Sequence, residues 1–266
     1  MKGRVLIIAG SDSGGGAGIQ ADIKTVTALG GYAATAVTAV TVQNTLGVFG
    51  VHAIPLDIVR EQIRVVMEDI GADALKTGML GTIETVETVA EAIDAYARGV
   101  PLVVDPVMIA KGGHPLLEAA AQDTVRTLML PRAALVTPNA PEAEALTGLQ
   151  VHDLDGQKRA AEKLLALGAR AALVKGGHVE GAVVRDVLAA ADGMHVFESL
   201  RIETRATHGT GCTLASAIAA KLAQGAPLTE AVPAAREYLM EAIRRAPGFG
   251  AGHGPLDHGW TTRERG

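Results

Sequence analysis

Residues 4–18 read Arg-Val-Leu-Ile-Ile-Ala-Gly-Ser-Asp-Ser-Gly-Gly-Gly-Ala-Gly, and this stretch decides the fold class. The apolar run at 4–9 predicts a strand buried on both faces, and the residues from Gly18 onward have helical spacing. Residues 10–18 therefore join a first strand to a first helix, the position at which open α/β sheets bind ligands. The stretch contains no G-x-G-x-x-G fingerprint, and the chain contains no G-x-x-x-x-G-K-[ST] loop, so a phosphate would have to bind in another way. The glycines alone fit a flexible βα turn equally well.

Short apolar runs alternate with Ala-rich stretches of helical period, which is the pattern of βα units that build a mostly parallel sheet. The predicted strands are 4–9, 33–39, 74–77, 102–104, 135–137 and 171–175. The predicted helices are 18–29, 57–70, 83–97, 117–128, 157–167, 213–224 and 229–245. Residues 41–54 suit a small β flap beside the sheet, and 183–190 with 194–200 flank Asp192-Gly193 as a hairpin. No repeat or linker interrupts the pattern, so we expect a single domain over residues 1–266.

Composition narrows the class of protein. Apolar residues make up 48% of the 266-residue chain but aromatic residues only 3%, so the core must be built from Ala, Val, Leu and Ile. A net charge of −5 argues against a general nucleic-acid or membrane surface and favours a small polar substrate. The single cysteine, Cys212, excludes a disulfide framework and a Cys-based zinc site. No apolar run is long enough for a membrane span, and the first is too short for a signal peptide, so we expect a cytoplasmic protein.

A second glycine cluster, Thr207-His208-Gly209-Thr210-Gly211-Cys212-Thr213, opens an Ala-rich helix. The N–H groups and the dipole of a helix N-terminus favour an anion. Cys212 stands in the first turn, where the same potential is expected to lower the thiol pKa and favour a thiolate base or nucleophile. Taken alone, a cysteine followed by Thr-Leu-Ala-Ser-Ala is more often a small buried apolar residue.

Polar residues follow three predicted strands, at Asp105-Pro106, Thr137-Pro138-Asn139 and Lys175-Gly176-Gly177-His178. The carboxyl ends of parallel strands line one crevice, so these residues should converge. Asp105 and Glu142 can supply carboxylates for Mg²⁺, and Lys175 can neutralise phosphate charge. Each alone could be a solvated turn residue, but three at successive strand ends favour a site.

The ordered set of motifs resembles the bacterial hydroxymethylpyrimidine/phosphomethylpyrimidine kinases over essentially the whole chain. The stretches that carry the resemblance are residues 9–25, Val42-Gln43-Asn44-Thr45, Lys76-Thr77-Gly78-Met79-Leu80, Asp105-Pro106-Val107-Met108, residues 137–143, Lys175-Gly176-Gly177-His178, His208-Gly209-Thr210-Gly211-Cys212-Thr213 and residues 250–258. Gly14 departs from the family pattern, which often has Ser there, and this puts a hydroxyl contact from the loop in doubt.

The resemblance implies a ribokinase-like three-layer α/β/α sandwich with a small β flap, assembled as a homodimer. It also implies ATP and Mg²⁺ as cofactors and a small pyrimidine as the substrate. It implies two successive phosphorylations in thiamin synthesis, of the hydroxymethyl group and then of the monophosphate. The resemblance also implies the site residues. Those around the pyrimidine are Gly10, Gln43, Met79 and Val107, with Asp22 nearby, and those for ATP are Asn139, Lys175 and Thr210. Asp105 and Glu142 would bind the metal, Gly209, Thr210 and Gly211 would form the anion hole, and Cys212 would be the base, where sugar kinases of the wider class carry Asp.

Three other functions are compatible with the sequence alone. Some proteins of the same pattern phosphorylate pyridoxal-type rings, so a pyridoxal kinase is the nearest alternative. A thiol hydrolase would need His208 held against the sulfur of Cys212. A non-catalytic nucleotide sensor would have no need of a base. Residues 109–114 are expected to be the mobile loop over the substrate.

Overall fold

The computed structural model describes residues 1–108 and 120–263. The strands are β1 (Arg4–Asp12), β2 (Tyr32–Asn44), β3 (Gly47–Ala53), β4 (Ala74–Thr77), β5 (Leu102–Val104), β6 (Leu135–Val136), β7 (Ala172–Val174), β8 (Val183–Ala190) and β9 (Gly193–Leu200). The helices are α1 (Gly18–Ala28), α2 (Leu56–Asp69), α3 (Ile83–Tyr96), α4 (Ala121–Thr124), α5 (Ala140–Thr147), α6 (Leu154–Ala166), α7 (Thr210–Ala223), α8 (Leu228–Arg244) and α9 (Trp260–Arg263). A π-helical turn (Val125–Met129) and a 3₁₀ turn (Leu130–Arg132) continue α4.

The strands form one sheet in the order β3-β2-β1-β4-β5-β6-β7-β8-β9. Strands β2, β1, β4, β5, β6 and β7 pair in parallel, whereas β3 and the β8–β9 hairpin pair antiparallel at the two edges. The carboxyl ends of the parallel strands therefore lie along one rim of the sheet, where ligands bind in folds of this kind.

Helices cover both faces of the sheet because the strand residues are buried on both sides. Along β1, Val5 and Ile7 pack with α1, α7 and α8, while Leu6 and Ile8 pack with α2, α3 and α6. Both clusters are built mainly from Ala, Val, Leu and Ile, as the low aromatic content predicted. The α/β class and the three-layer arrangement are confirmed.

Most element boundaries fall within a few residues of the prediction, and the differences have local causes. β2 runs on to Asn44 and pairs with β3, so the expected flap is a continuation of the sheet. α7 begins at Thr210, three residues earlier than predicted, because Gly209 at φ +79° forms its N-cap. α5 was not predicted; it lies between a capping box at Asn139 and a left-handed Gly148.

Five of the predicted helices are followed within three residues by a glycine with positive φ, which helps to end the helix. These glycines are Gly30, Gly71, Gly99, Gly168 and Gly225, after α1, α2, α3, α6 and α7. The predicted helix 117–128 and the expected mobile loop 109–114 lie partly or wholly outside the described residues. No helix in the described part of the chain is long and apolar enough to cross a membrane.

Candidate active site

A cavity of about 700 Å³ lies at the carboxyl rim of the sheet and faces the N-terminus of α7. Gly10, Gly78, Asp105 and Lys175, from the ends of β1, β4, β5 and β7, line it together with the first turn of α7. The three polar strand ends and both glycine clusters therefore meet in one place. A volume of this size is typical of a small-molecule site.

The glycine-rich loop after β1 is an ordered structure because Asp12 holds it. The Asp12 carboxylate accepts hydrogen bonds from the N–H groups of Gly14 at 2.8 Å, Gly16 at 3.0 Å and Ala17 at 2.8 Å. Burial would raise the pKa of Asp12, but these bonds and the one from His208 outweigh burial and keep that pKa below its usual value. The alternative of a flexible βα turn does not fit this arrangement.

Three glycines of the two clusters, Gly10, Gly18 and Gly209, have no room for a side chain. A Cβ on Gly10 would lie 2.6 Å from Cε of Met79, and a Cβ on Gly18 would lie 2.4 Å from the Gly10 carbonyl oxygen. A Cβ on Gly209 would lie 1.9 Å from the Gly16 carbonyl oxygen. The two glycine clusters thus touch through their backbones, which only glycine permits.

The residues predicted to surround the pyrimidine separate into two groups. Gly10, Gln43, Met79 and Val107 all line the cavity. The fifth, Asp22, is fully buried and is not among the lining residues; its carboxylate accepts from Lys76 and Ser216 instead. A direct contact of Asp22 with the pyrimidine stays a prediction that this position does not favour.

Two polar side chains lie beside the amide of Gln43 at the cavity wall. Its Oε1 lies 3.1 Å from Thr41 Oγ1, and its Nε2 lies 3.4 Å from His208 Nε2. His208 Nε2 in turn lies 2.8 Å from an Asp12 carboxylate oxygen, so the histidine is engaged with Asp12 rather than with Cys212. This geometry removes the support for a cysteine–histidine hydrolase pair.

The N-terminus of α7 provides the predicted anion-binding surface. Gly209 is the N-cap, and Thr210, Gly211 and Cys212 form the first turn, where backbone N–H groups have no partner within the helix. Gly209, Thr210 and Gly211 all line the cavity. These N–H groups can receive the negative charge of a transferring phosphoryl group.

Two charged residues at strand ends, Lys175 and Asp105, face this helix, and Glu142 of α5 lies beside Lys175. Lys175 Nζ lies 3.0 Å from Asp105 Oδ1 and 3.9 Å from Glu142 Oε2. Burial would lower the pKa of Lys175, but the two carboxylates outweigh burial and raise it, so the ammonium stays charged. Burial raises the pKa of Glu142 to about 7, against the opposing effect of Lys175. Glu142 also forms a capping box with Asn139, which fixes both side chains at the rim.

Cys212 lines the cavity as predicted, but the expected low thiol pKa is wrong. Burial raises the pKa of Cys212 to about 12, although the nearby Lys76 ammonium lowers it. Desolvation of a thiolate therefore outweighs the helix N-terminus, and the thiol is the resting form. Any role as a base requires neighbouring positive charge.

The other end of the cavity is mainly apolar and was not predicted. Its lining residues from β9, the segment after it and α8 include Leu200, Ile202, Leu239, Met240 and Ile243. Arg236 borders this region, and its Nε donates to Asp186 at 2.7 Å while Asp186 accepts from the Gly176 N–H. Residues from separate segments form this end of the cavity, so no single stretch of the sequence marked it.

The family model described as phosphomethylpyrimidine kinase matches residues 12–257. The chain belongs to the phosphomethylpyrimidine kinase family. The matched residues include every element that contributes to the cavity except β1, of which only Asp12 lies within the match. It establishes the enzyme class as a kinase, which removes the hydrolase and non-catalytic alternatives.

Relatives of known name support this assignment. The hydroxymethylpyrimidine/phosphomethylpyrimidine kinase of Streptomyces coelicolor is 50% identical over 260 residues, covering 98% of this chain and 96% of the relative. The thiamine biosynthesis bifunctional protein ThiED of Geobacter sulfurreducens is 50% identical over 97% of this chain, which spans about half (52%) of that protein. The ADP complex of Bacillus subtilis pyridoxal kinase has a TM-score of 0.89 at 37% identity, covering 97% of this chain and 98% of that one.

Proposed function

We propose that this kinase transfers the γ-phosphoryl group of ATP to 4-amino-5-hydroxymethyl-2-methylpyrimidine, and then a second group to the resulting monophosphate, in thiamin biosynthesis. One observation carries the proposal: the amide of Gln43 beside the apolar Met79, an anion-binding helix N-terminus ending in Cys212, and the Lys175 charge cluster all line one cavity. The names of the relatives supply the substrate, and the geometry supplies a place for each reacting group.

In the first transfer, the hydroxymethyl oxygen attacks the γ-phosphorus and the bond to the bridging β–γ oxygen breaks, so that ADP leaves. The hydroxyl proton passes to the sulfur of Cys212, which must be in its thiolate form. The N–H groups of Gly209, Thr210 and Gly211 face the equatorial oxygens, and Lys175 neutralises charge on the leaving side. In the second transfer the acceptor is already an anion and needs no base.

The residues at the rim fit a magnesium ion. Asp105 and Glu142 offer carboxylate oxygens to the cavity on either side of Lys175. The described residues contain no group of three or more Asp, Glu, His or Cys that could hold a metal, which suits an ion that keeps waters and phosphate oxygens as ligands. When bound, Mg²⁺ neutralises phosphate charge; Asp105 and Glu142 are the residues that would hold it.

The apolar end of the cavity suits the nucleobase of ATP. Leu239, Met240 and Ile243 of α8 line the cavity together with Leu200 and Ile202, and apolar side chains of this kind can contact an adenine ring. Asn139 also lines the cavity, consistent with its predicted contact to the nucleotide.

Pyridoxal phosphorylation is the second candidate, favoured by the likeness to pyridoxal kinase structures. The side-chain amide of Gln43 favours the pyrimidine, because one amide offers a donor and an acceptor that match a ring nitrogen and the adjacent 4-amino group. Pyridoxal lacks that amino group.

The test is ADP release by the purified protein with ATP and Mg²⁺, supplied separately with hydroxymethylpyrimidine, its monophosphate or pyridoxal. We expect turnover with both pyrimidines and its loss when EDTA is added. Turnover with pyridoxal alone would establish the second candidate instead. Mass spectrometry of the products distinguishes the monophosphate from the diphosphate.

We also propose a cytoplasmic homodimer built on one domain over residues 1–266. The exposed apolar residues of the β2–β3 flap, among them Val42 at 62% and Phe49 at 68% exposure, support self-association through this edge. An unpaired cysteine in the active site suits a reducing compartment. Light scattering of the wild type and Phe49→Asp tests the dimer.

A further inference from the structure

A fully buried ion pair lies behind the cavity wall, and the catalytic scheme makes no use of it. Lys76 Nζ lies 2.8 and 3.0 Å from the two carboxylate oxygens of Asp22, and both residues have 0% exposure. Ser216, also at 0%, donates to Asp22 at 2.6 Å. Replacing such pairs by apolar residues is often neutral or stabilising, so stability alone is weak grounds for a buried pair.

The pair is joined to the face of α7 that carries Cys212. Ser216 is four residues after Cys212, so the two side chains lie one above the other on the same side of the helix. Because Ser216 contacts Asp22 and Asp22 contacts Lys76, the ammonium lies beside this face. Lys76 also lines the cavity that Cys212 lines.

The charges around the sulfur come from four elements. Lys76 on β4 and Lys175 after β7 are the cations, while Asp22 on α1 and Asp105 after β5 are the anions. Each cation is paired with a carboxylate at short range, Lys175 with Asp105 and Lys76 with Asp22, but a phosphate at the anion hole would engage Lys175. Lys76 is therefore the cation near Cys212 that is not required for binding the phosphate.

We propose that Lys76 is a positioning residue that acts through Cys212, its buried ammonium stabilising the thiolate that accepts the hydroxymethyl proton. Asp22 and Ser216 hold the ammonium in place against β4 and α7. This inference rests on the proposed role of Cys212 as the base. It gives Asp22 an indirect role through Lys76.

A purely structural role for the pair makes the opposite prediction. If Lys76 only joined β4 to α1, its loss would loosen the site and admit water to Cys212. Hydration would move the thiol pKa down toward its ordinary value of about 8.5. Loss of a stabilising cation moves it up. The direction of the change in the thiol pKa therefore distinguishes the positioning role of Lys76 from a purely structural one.

The experiment uses the fact that Cys212 is the only cysteine of the chain. The rate of iodoacetamide alkylation is followed by intact mass from pH 7 to pH 10 for the wild type and Lys76→Met, with Cys212→Ser as the unlabelled control. We expect Lys76→Met to react about tenfold more slowly at each pH, which corresponds to a pKa rise of about one unit. Faster or unchanged alkylation would overturn the proposal.

Lys76→Met leaves Asp22 as an unpaired buried charge, so Lys76→Met/Asp22→Asn is measured beside it, with the same direction of change and a smaller size expected. Activity gives a separate readout: Lys76→Met should lower kcat for hydroxymethylpyrimidine and leave the KM for ATP unchanged. If Cys212→Ala keeps wild-type turnover, the base role fails, whereas the alkylation rates still report whether Lys76 stabilises the thiolate.

Discussion

His208 Nε2 lies 2.8 Å from the carboxylate of Asp12, and this bond joins the glycine-rich loop after β1 to the segment that opens α7. Because Asp12 also accepts from three backbone N–H groups of its own loop, one carboxylate positions both glycine clusters. The carboxylate is an acceptor at every one of these bonds, so its hydrogen-bonded partners favour the ionised form. The wall proposed to contact the pyrimidine and the helix proposed to contact the phosphate are therefore held together by one carboxylate.

Asp12→Asn should destabilise the protein by about 3 kcal/mol, because an amide NH₂ would face N–H donors at a buried site where charged hydrogen bonds were made. Urea unfolding measures the change in the free energy of unfolding. Asp73→Asn is the control, since Asp73 pairs with Arg4 at the surface and should lose less than about 1 kcal/mol. Equal losses in the two variants would contradict the assigned role of Asp12.

Gly209→Ala should reduce turnover by about 10² or more, because an added Cβ would lie 1.9 Å from the Gly16 carbonyl oxygen and displace the anion-hole N–H groups. Gly99→Ala is the matched control: Gly99 has φ +86°, and an added Cβ would meet nothing within 4 Å. Both variants carry the strain of a positive φ, so the difference in kcat between them isolates the close contact. Similar kcat values would show that the contact is unimportant.

His258 should make stability depend on pH. Burial lowers the pKa of His258 to about 4, and its Nε2 lies 3.0 Å from Thr213 Oγ1 beside Cys212. The unfolded chain binds the proton near pH 6.5, whereas the folded protein does not until about pH 4. The contribution of the neutral His258 to the free energy of unfolding is therefore complete above pH 6.5. It is lost, by about 3 kcal/mol in all, as the pH falls from 6.5 toward 4.

Urea unfolding of the wild type and His258→Gln at pH 7, 6 and 5 tests this. Carboxylates contribute similarly to both proteins, so the wild type should lose stability more steeply than the variant on acidification. Parallel pH profiles would show that His258 does not titrate in this way.

The parts of the structure that could be predicted are those with a local signal. The strands at 74–77 and 102–104 match to the residue, because each is a short stretch bounded by turn residues. Lys76, a lysine inside the first of these stretches, was an available signal, since a charged residue in a buried strand requires a buried partner. The eight-residue helix α5 has a weak apolar face and gave no comparable pattern.

Two properties of the site could not be predicted, because tertiary packing decides them. His208 reaches Asp12 only after the chain has folded, so the loop sequence cannot reveal this partner. The thiol pKa of Cys212 is set by burial among several elements, whereas its sequence position reports only the helix N-terminus. Local reasoning therefore placed Cys212 correctly and assigned its pKa shift the wrong sign.

Gln43→Leu should weaken binding of hydroxymethylpyrimidine by about 1 to 3 kcal/mol and leave ATP binding unchanged, because it leaves polar groups of the ring unpaired. Calorimetric titration with each ligand separates the two affinities. Gln224→Leu is the control, since Gln224 is the C-cap of α7, at the end opposite the anion hole. Equal losses for both ligands would remove Gln43 from the pyrimidine pocket.

The two phosphorylations should respond differently to the loss of Cys212 and of Lys175. In the proposed mechanism, both transfers share the helix N-terminus that lines this cavity, but they make different demands on it. The free alcohol must lose a proton, whereas the monophosphate brings extra negative charge against ATP and needs no base. Cys212→Ala should therefore lower the first turnover by about 10² to 10⁴ and the second much less.

Lys175→Ala should lower the second turnover at least as much as the first, because neutralising charge matters more when both reactants are anions. Hydroxymethylpyrimidine and its monophosphate are supplied separately to each variant, and ADP release is measured. The ratio of the two rates within one variant cancels any loss of folded protein. Equal ratios of the two rates in Cys212→Ala and Lys175→Ala would contradict these different roles of the two residues. A wild type that accepts only the free alcohol would exclude the two-step reaction and favour a single transfer of the pyridoxal-kinase kind.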